Sequence, residues 1–340
     1  MFKNKLNLET YNENNDPYDV VRGLRLEKSE DTYLFHDIFA INGSVICICP
    51  VNPSKYINRG DISIFVNESK LPILFHKEYY EYEPIDIIAF DSIDFIDEQE
   101  IQVRVEYADL TTIHYTDTIT LQNMLDEKSK DLAIPSITID YKLVKPWVRY
   151  YKEMGVDDFY IYLNKPIPYN DYINIIKERS RETGIKMIEW PYRYEFRTPS
   201  RMSKKGYFFH NSQMTTMHQF MYKYGGKYKY GIFIDVDEYL VHPDLKQLIQ
   251  SEKTAYIFRN IWAETKDGVD PIEDLPSEFK VDSEDHGYKR TKCITKLDDV
   301  NAHGVHFPKI KNWKDYVLSV DEGWMAHFAN FGKKERRVTI

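Results

Sequence analysis

Near residue 125 the chain changes its grammar, and that change constrains the fold more than any single motif. Before it, the apolar runs are strand-sized and no helix-length pattern separates them: TYLFHDIFAI, SVICICPV, DISIFVN, PIDIIAFDSIDFI, QEIQVRVEYA and TIHYTDTITL. Ile101, Val103 and Val105 alternate with polar residues, which is the period-two pattern of a half-buried strand. Asn42-Gly43, Asn58-Arg59-Gly60-Asp61 and Pro84 are turn signals between the runs. Short strands in this number, without long helices, predict a β-sandwich-like domain over residues 1–125.

A polar stretch reads as a linker at 126–134, and beyond it strands alternate with helices over 135–340. PSITI is a strand. KLVKPWVRYYKEM is a helix, with Pro146 tolerated in its first turn and Gly155 placed as the C′ residue. DFYIYL is the next strand, 169–183 a helix closing at Gly184, and IKMIEW a third strand. A helix over 210–224 then leads to a strand over 230–234. This order predicts an α/β, Rossmann-like, doubly wound sheet that is mainly parallel. In such sheets ligands bind beyond the carboxyl ends of the strands, so chemistry is sought there.

Composition removes several function classes. Of 340 residues, 42% are hydrophobic and 29% charged, which is the balance of a soluble globular protein. A net charge of −9 is the wrong sign for a general nucleic-acid binder. Three cysteines make no disulfide scaffold; Cys47 and Cys49, two apart on a strand, share a face and read as buried thiols, with Cys293 alone. No apolar run has signal-peptide or membrane-span length, so the expected location is the cytoplasm of a microbe or of a virus's host. Lys333, Lys334, Arg336 and Arg337 form a basic cluster, read as a solvated tail, with peripheral contact to an anionic membrane as the minor alternative.

The sharpest local feature is YGIFIDVDEYLV. An apolar strand runs directly into Asp235, Val236, Asp237 and Glu238. Three carboxylates in four residues repel one another unless a cation lies among them. Mg²⁺ or Mn²⁺ takes hard oxygen ligands, commonly one or two carboxylates plus substrate phosphate, and Asp-x-Asp offers that. The alternative is an acidic turn after a core strand, with Glu238 capping a helix. An EF-hand is excluded by the missing glycine and closing glutamate.

Five segments in order resemble the GT-A glycosyltransferases of the family 92 and family 2-like group. They are KPWVRYYKEMGVDDFYIYLN, EWPYR, NSQMTTMHQFMYKYGGKYKYGIFIDVDEYLV, RTKCITKLDDVNAHGVHFP and WMAHFANFGKKE. The resemblance implies a GT-A domain with a doubly wound mixed sheet that moves a hexosyl group from a nucleotide-diphosphate sugar, UDP-galactose favoured, to a glycan hydroxyl with inversion. It implies Asp235 and Asp237 as ligands of Mn²⁺ or Mg²⁺, completed by His306, with His303 as competitor. It places Asn164, Gln213, Asp235, Lys292 and Trp262 at the donor. The Ser-x-Asp that often follows Asn164 is absent, and Asp171 is a candidate substitute without an assigned role. His327 matches a terminal His-Tyr motif in which Phe328 replaces the tyrosine. An inverting enzyme also needs a base for the acceptor hydroxyl, and Glu264 and Asp267 are the candidates.

Two other classes compete. A carbohydrate-binding protein on the same fold, without turnover, would show no metal dependence. A metal-dependent hydrolase or phosphotransferase would want more strand-end carboxylates or a phosphate loop, and neither G-x-x-x-x-G-K-[ST] nor G-x-S-x-G occurs.

Overall fold

The computed structural model describes residues 18–20, 24–25, 33–50, 62–79, 85–91, 100–107, 113–122, 128–138, 143–164, 184–192, 194, 196–198, 207–209, 211–265, 279–285 and 290–328. The helix expected over 169–183, with Asp171, lies outside the described residues, as do Asp267 and the basic cluster at 333–337. The chain divides into two compact units. One comprises 1–127 with 189–227, the other 128–188 with 228–340.

In the first unit, eight strands follow one hydrogen-bonded order: Ser69–Lys70, Ile62–Val66, Glu100–Tyr107, Ile113–Gln122, Asp37–Ile41, Ser44–Cys49, Ile85–Asp91 and Ile73–Tyr79. All pairings are antiparallel except the one between Ile113–Gln122 and Asp37–Ile41, which holds only at Leu121↔Ala40 and Gln122↔Ile41. That short parallel contact joins two four-stranded antiparallel sets. Both sets feed one apolar cluster, with Ile64, Val103 and Ile119 from one and Ile38, Cys47 and Ile88 from the other. The alternation at Ile101, Val103 and Val105 is therefore core-facing, and Cys47, Cys49 and Cys293 are buried free thiols.

The helix Asn211–Lys223 also belongs to this unit. It is pinned through polar contacts made in the interior. Asp37 is 0% exposed and Lys223 only 4%. Asp37 Oδ2 accepts from Gln219 Nε2 at 3.0 Å and pairs with Lys223 Nζ at 3.4 Å, and Oδ1 accepts from the Ile38 N–H. Gln219 and Lys223 are four apart, so one carboxylate meets both on one helix face. Thr215 Oγ1 donates to the Ser212 carbonyl, which leaves it to accept from His36 Nδ1 at 2.9 Å. The His36 ring lies stacked on Tyr192, centroids 3.8 Å apart.

The second unit carries a mixed sheet. Its order runs Ile185–Glu189, Asp158–Leu163, Lys130–Thr138, Tyr228–Phe233, Lys292–Lys296, Ala255–Thr265, Trp324–Phe328 and Glu238–Val241, with Phe279–Asp285 beside Ala255–Thr265. Lys130–Thr138 is parallel to both neighbours and buried from Leu132 onward, as a two-face-covered strand must be. This strand begins at Lys130, so residues 130–134 of the expected linker are sheet. The sheet as a whole is mixed, as the resemblance implies, and the mainly parallel order read from the strand–helix alternation does not extend to the other half. There the pairings of Tyr228–Phe233 with Lys292–Lys296, of that strand with Ala255–Thr265, and of Trp324–Phe328 with Glu238–Val241 are antiparallel. A parallel neighbour needs a crossover connection, and the helix between Glu238–Val241 and Ala255–Thr265 has only five residues, Leu245–Ile249.

The helix Val144–Glu153 begins with Pro146 in its first turn, as expected, and closes as a Schellman motif. Val156 N–H reaches the Tyr151 carbonyl and Gly155 N–H the Lys152 carbonyl. Gly155 has φ +86°, and a Cβ there would meet Lys246 Cε at 2.8 Å.

Removing one member of a buried ion pair strands the other charge, at a cost of about 3–5 kcal/mol. Lys223→Met is therefore expected to destabilise the first unit by about that amount in chemical denaturation. The Asp37→Asn, Lys223→Met double variant is expected to recover much of the loss. Equal destabilisation in single and double variants would show that the pair does not act as a unit.

Candidate active site at the acidic strand end

Tyr228–Phe233 delivers Asp235 to the carboxyl edge of the parallel strands. On the same edge Asn164, buried, follows Asp158–Leu163 and donates its backbone N–H to the Thr138 carbonyl. Residues 235–238 close on themselves. Glu238 N–H donates to the Asp235 carbonyl at 3.1 Å, and Asp235 N–H donates to Glu238 Oε2 at 2.9 Å. So Glu238 ties the turn together rather than capping a helix; the strand Glu238–Val241 starts at it.

The helix Val144–Glu153 fixes that strand. Trp147 Nε1–H and the Tyr151 hydroxyl both donate to the Glu238 carbonyl, at 3.1 and 3.2 Å. Leu240 N–H donates to the Tyr151 oxygen, and the Tyr150 hydroxyl donates to the Leu240 carbonyl. Burial holds the Tyr151 phenol well above its ordinary pKa, so it stays a donor.

Three carboxylates are thus held close, and each has a basic neighbour. Lys292, 1% exposed, places Nζ 2.8 Å from Asp235 Oδ2 and 3.4 Å from Glu238 Oε2. His327 stands directly across from Glu238 in the sheet. Its Nδ1 is 3.6 Å from Glu238 Oε1 and its Nε2 3.7 Å from Asp237 Oδ2, ion-pair distances longer than hydrogen bonds. Trp262 pairs with His327 on the other side, and the two rings stack with centroids 4.4 Å apart. Residues paired across strands share a face, so Glu238, His327 and Trp262 form one row on one side of the sheet.

Asn260 belongs to that face too, two residues from Trp262. It is buried, and neither side-chain amide atom has a hydrogen-bond partner among the described residues. Sequence reasoning missed it. The signal was available in the alternation counted back from Trp262, but a strand asparagine has no motif to announce it.

The expected metal trio of Asp235, Asp237 and His306 is not assembled: among the described residues no group of three such side chains could hold a metal ion. His306 is turned elsewhere, its Nδ1–H donating to the Thr291 carbonyl at 3.2 Å while Thr291 Oγ1 donates back to the His306 carbonyl. His303 is a core residue. It is fully buried, stacked on Phe233, with Nε2 at 3.1 Å from Cys293 Sγ and 3.2 Å from Thr295 Oγ1. His327, given no metal role from the sequence, is the histidine brought to Asp237. Gln213 sits in the first unit, its Oε1 accepting from the Tyr194 hydroxyl at 3.0 Å. Glu264 lies in Ala255–Thr265 opposite Lys280.

Burial raises the Glu238 carboxyl to about 7, opposed by Lys292, pushed further by Asp235, eased by His327 and pushed by Asp237. The folded state then holds this proton more tightly than the unfolded chain does. The resulting stability is present at low pH and is lost as pH rises from about 4.5 to about 7. Thermal midpoints measured from pH 5 to 8 are expected to show this decline in the parent. Glu238→Gln, which cannot ionise, is expected to flatten it, and an unchanged slope would remove Glu238 as its source.

No curated protein matches the chain. A family model does: the one described as Glycosyltransferase family 92 matches residues 139–339, a span that contains the acidic turn, Lys292, Trp262 and His327. That span is more than half of the chain, and the chain belongs to glycosyltransferase family 92.

Proposed function

We propose that the protein is a metal-dependent glycosyltransferase of the GT-A type. It moves a hexosyl group, galactose favoured, from a nucleotide-diphosphate sugar, UDP-linked, to a glycan hydroxyl with inversion. The observation that carries this reading is the acidic turn Asp235–Glu238, packed beside Lys292 and His327 at the carboxyl edge of the parallel strands. The single apolar core shared by two four-stranded sets supports reading the first unit as a β-sandwich-like domain. A cytoplasmic location belongs to the same proposal; among the described residues no helix is long and apolar enough to cross a membrane.

The donor set suits Mn²⁺ or Mg²⁺ when the cation takes only one or two protein oxygens and the rest from diphosphate. Asp235 and Asp237 would hold it, and the His327 imidazole stands beside Asp237, with Nε2 3.7 Å from Oδ2. When bound, the metal supplies charge stabilisation on the departing diphosphate. The protein's own residues set the stage. Lys292 offsets the negative charge of Asp235 and Glu238, so that a diphosphate can approach a region of three carboxylates. Helix residues Trp147 and Tyr151 hold the Glu238 backbone in place. Trp262 is a proposed donor-side residue, its ring stacked on His327. Glu264 and Asp267 are the proposed bases for the acceptor hydroxyl, and Asn164 is a proposed donor contact.

Asp237→Ala is expected to lower Mn²⁺-stimulated transfer or donor hydrolysis by at least about a hundredfold while leaving thermal stability and circular dichroism unchanged. Full activity in that variant sinks the assignment. A thermal-shift screen of nucleotide sugars, with and without Mn²⁺, is expected to raise Tm most for a UDP-sugar with metal present. A shift with no turnover on any glycan acceptor would favour a binding protein on this fold.

A further inference from the structure

Lys292 cannot by itself be the cation that receives an incoming diphosphate, because it is buried and contacts two carboxylates. Two residues before it stands a second basic side chain that sequence reasoning passed over. Arg290 is exposed, and its guanidinium carbon lies 5.4 Å from the centroid of the Trp262 ring, within cation–π range. Its backbone has φ +60°, the left-handed region that favours glycine. The strain is held from the next residue, where Thr291 Oγ1 donates to the His306 carbonyl and the Thr291 carbonyl accepts from His306 Nδ1. Strained non-glycine backbone clamped by its surroundings is characteristic of ligand-binding positions.

We propose that Arg290 is a phosphate-binding residue for the diphosphate of the donor, held over Trp262 and poised beside the Lys292–carboxylate cluster. The chemistry follows from geometry. A guanidinium presents a planar fork of N–H donors that matches two phosphate oxygens, and a ring beneath it restricts the fork's orientation. Trp262 then serves two partners, the cation and the row containing His327. Through Trp262 the guanidinium is linked to His327, whose Nε2 is 3.7 Å from Asp237 Oδ2. This deepens the transferase reading and rests on it for the identity of the anion, but binding can be measured without turnover.

The test is calorimetric titration of the full chain with inorganic pyrophosphate and with UDP, at low and moderate salt. Arg290→Gln is expected to weaken both by about tenfold and to reduce the salt dependence. Arg290→Lys, which keeps charge but loses the fork, is expected to recover part of the affinity. Arg290→Gly relieves the positive φ, so it is expected to keep or raise Tm while losing as much affinity as Arg290→Gln. Wild-type affinity for pyrophosphate in Arg290→Gln and Arg290→Gly overturns the proposal, and so does binding of glucuronate in place of pyrophosphate. A chain that binds pyrophosphate through Arg290 yet transfers no sugar supports this inference and overturns the transferase reading alone.

Discussion

The second unit depends on one charge contact, the burial of Lys292 between Asp235 and Glu238. An ammonium taken out of water is tolerated only with partners close by, and removing either partner leaves a stranded charge. The contact also fixes chain geometry. Lys292 opens the strand that pairs antiparallel with Tyr228–Phe233, so the carboxylates after Phe233 and the lysine before Cys293 meet because the sheet register brings them together. The same strand pairs on its other side with Ala255–Thr265, which carries Asn260 and Trp262. Strand register, rather than loop contacts, gathers the site.

The helix Val144–Glu153 secures the opposite side of the same feature. Paired residues share a face, and Tyr239 and Ala326 face the helix while Glu238 and His327 face away from it. Tyr239 packs between Tyr150 and Phe328. Trp147 and Tyr151 reach past that layer to bond the Glu238 carbonyl, so the backbone of that row is held from the helix side and its side chains are presented from the other. A row held on one side only would let the three carboxylates spread apart under their own repulsion.

Much of this was legible in the sequence where local chemistry decides the outcome. DFYIYL is a strand over the residues expected, Pro146 sits in a first helical turn, and Gly155 ends the helix in the left-handed conformation it was expected to take. The acidic turn was legible because three carboxylates in four residues are informative in one dimension. Partners were not. His303 and His306 lie three apart in one motif, yet one is stacked in the core on Phe233 and the other is turned to Thr291. His327, ninety residues from Asp237, arrives through strand pairing, which no spacing rule encodes. The helix with Gln213 read as part of the second half of the chain, but buried Asp37, from the first half, fixes its place. Long-range pairing decides these cases.

The three carboxylates consequently differ in role although they are neighbours in sequence. Asp235 is held by Lys292 and Asp237 stands by His327, so each of these two has one basic neighbour. Glu238 touches both bases, with Oε2 toward Lys292 and the Asp235 N–H and Oε1 toward His327. A fully buried carboxylate that spans two basic groups and closes the turn by hydrogen bond is occupied on every side. Its position makes it the organiser of the motif, and it leaves the two aspartates more exposed than Glu238. The acidic surplus of the whole chain is diffuse, but here charge is arranged: two carboxylates partly exposed, one buried, and a buried lysine paired with Asp235 and Glu238.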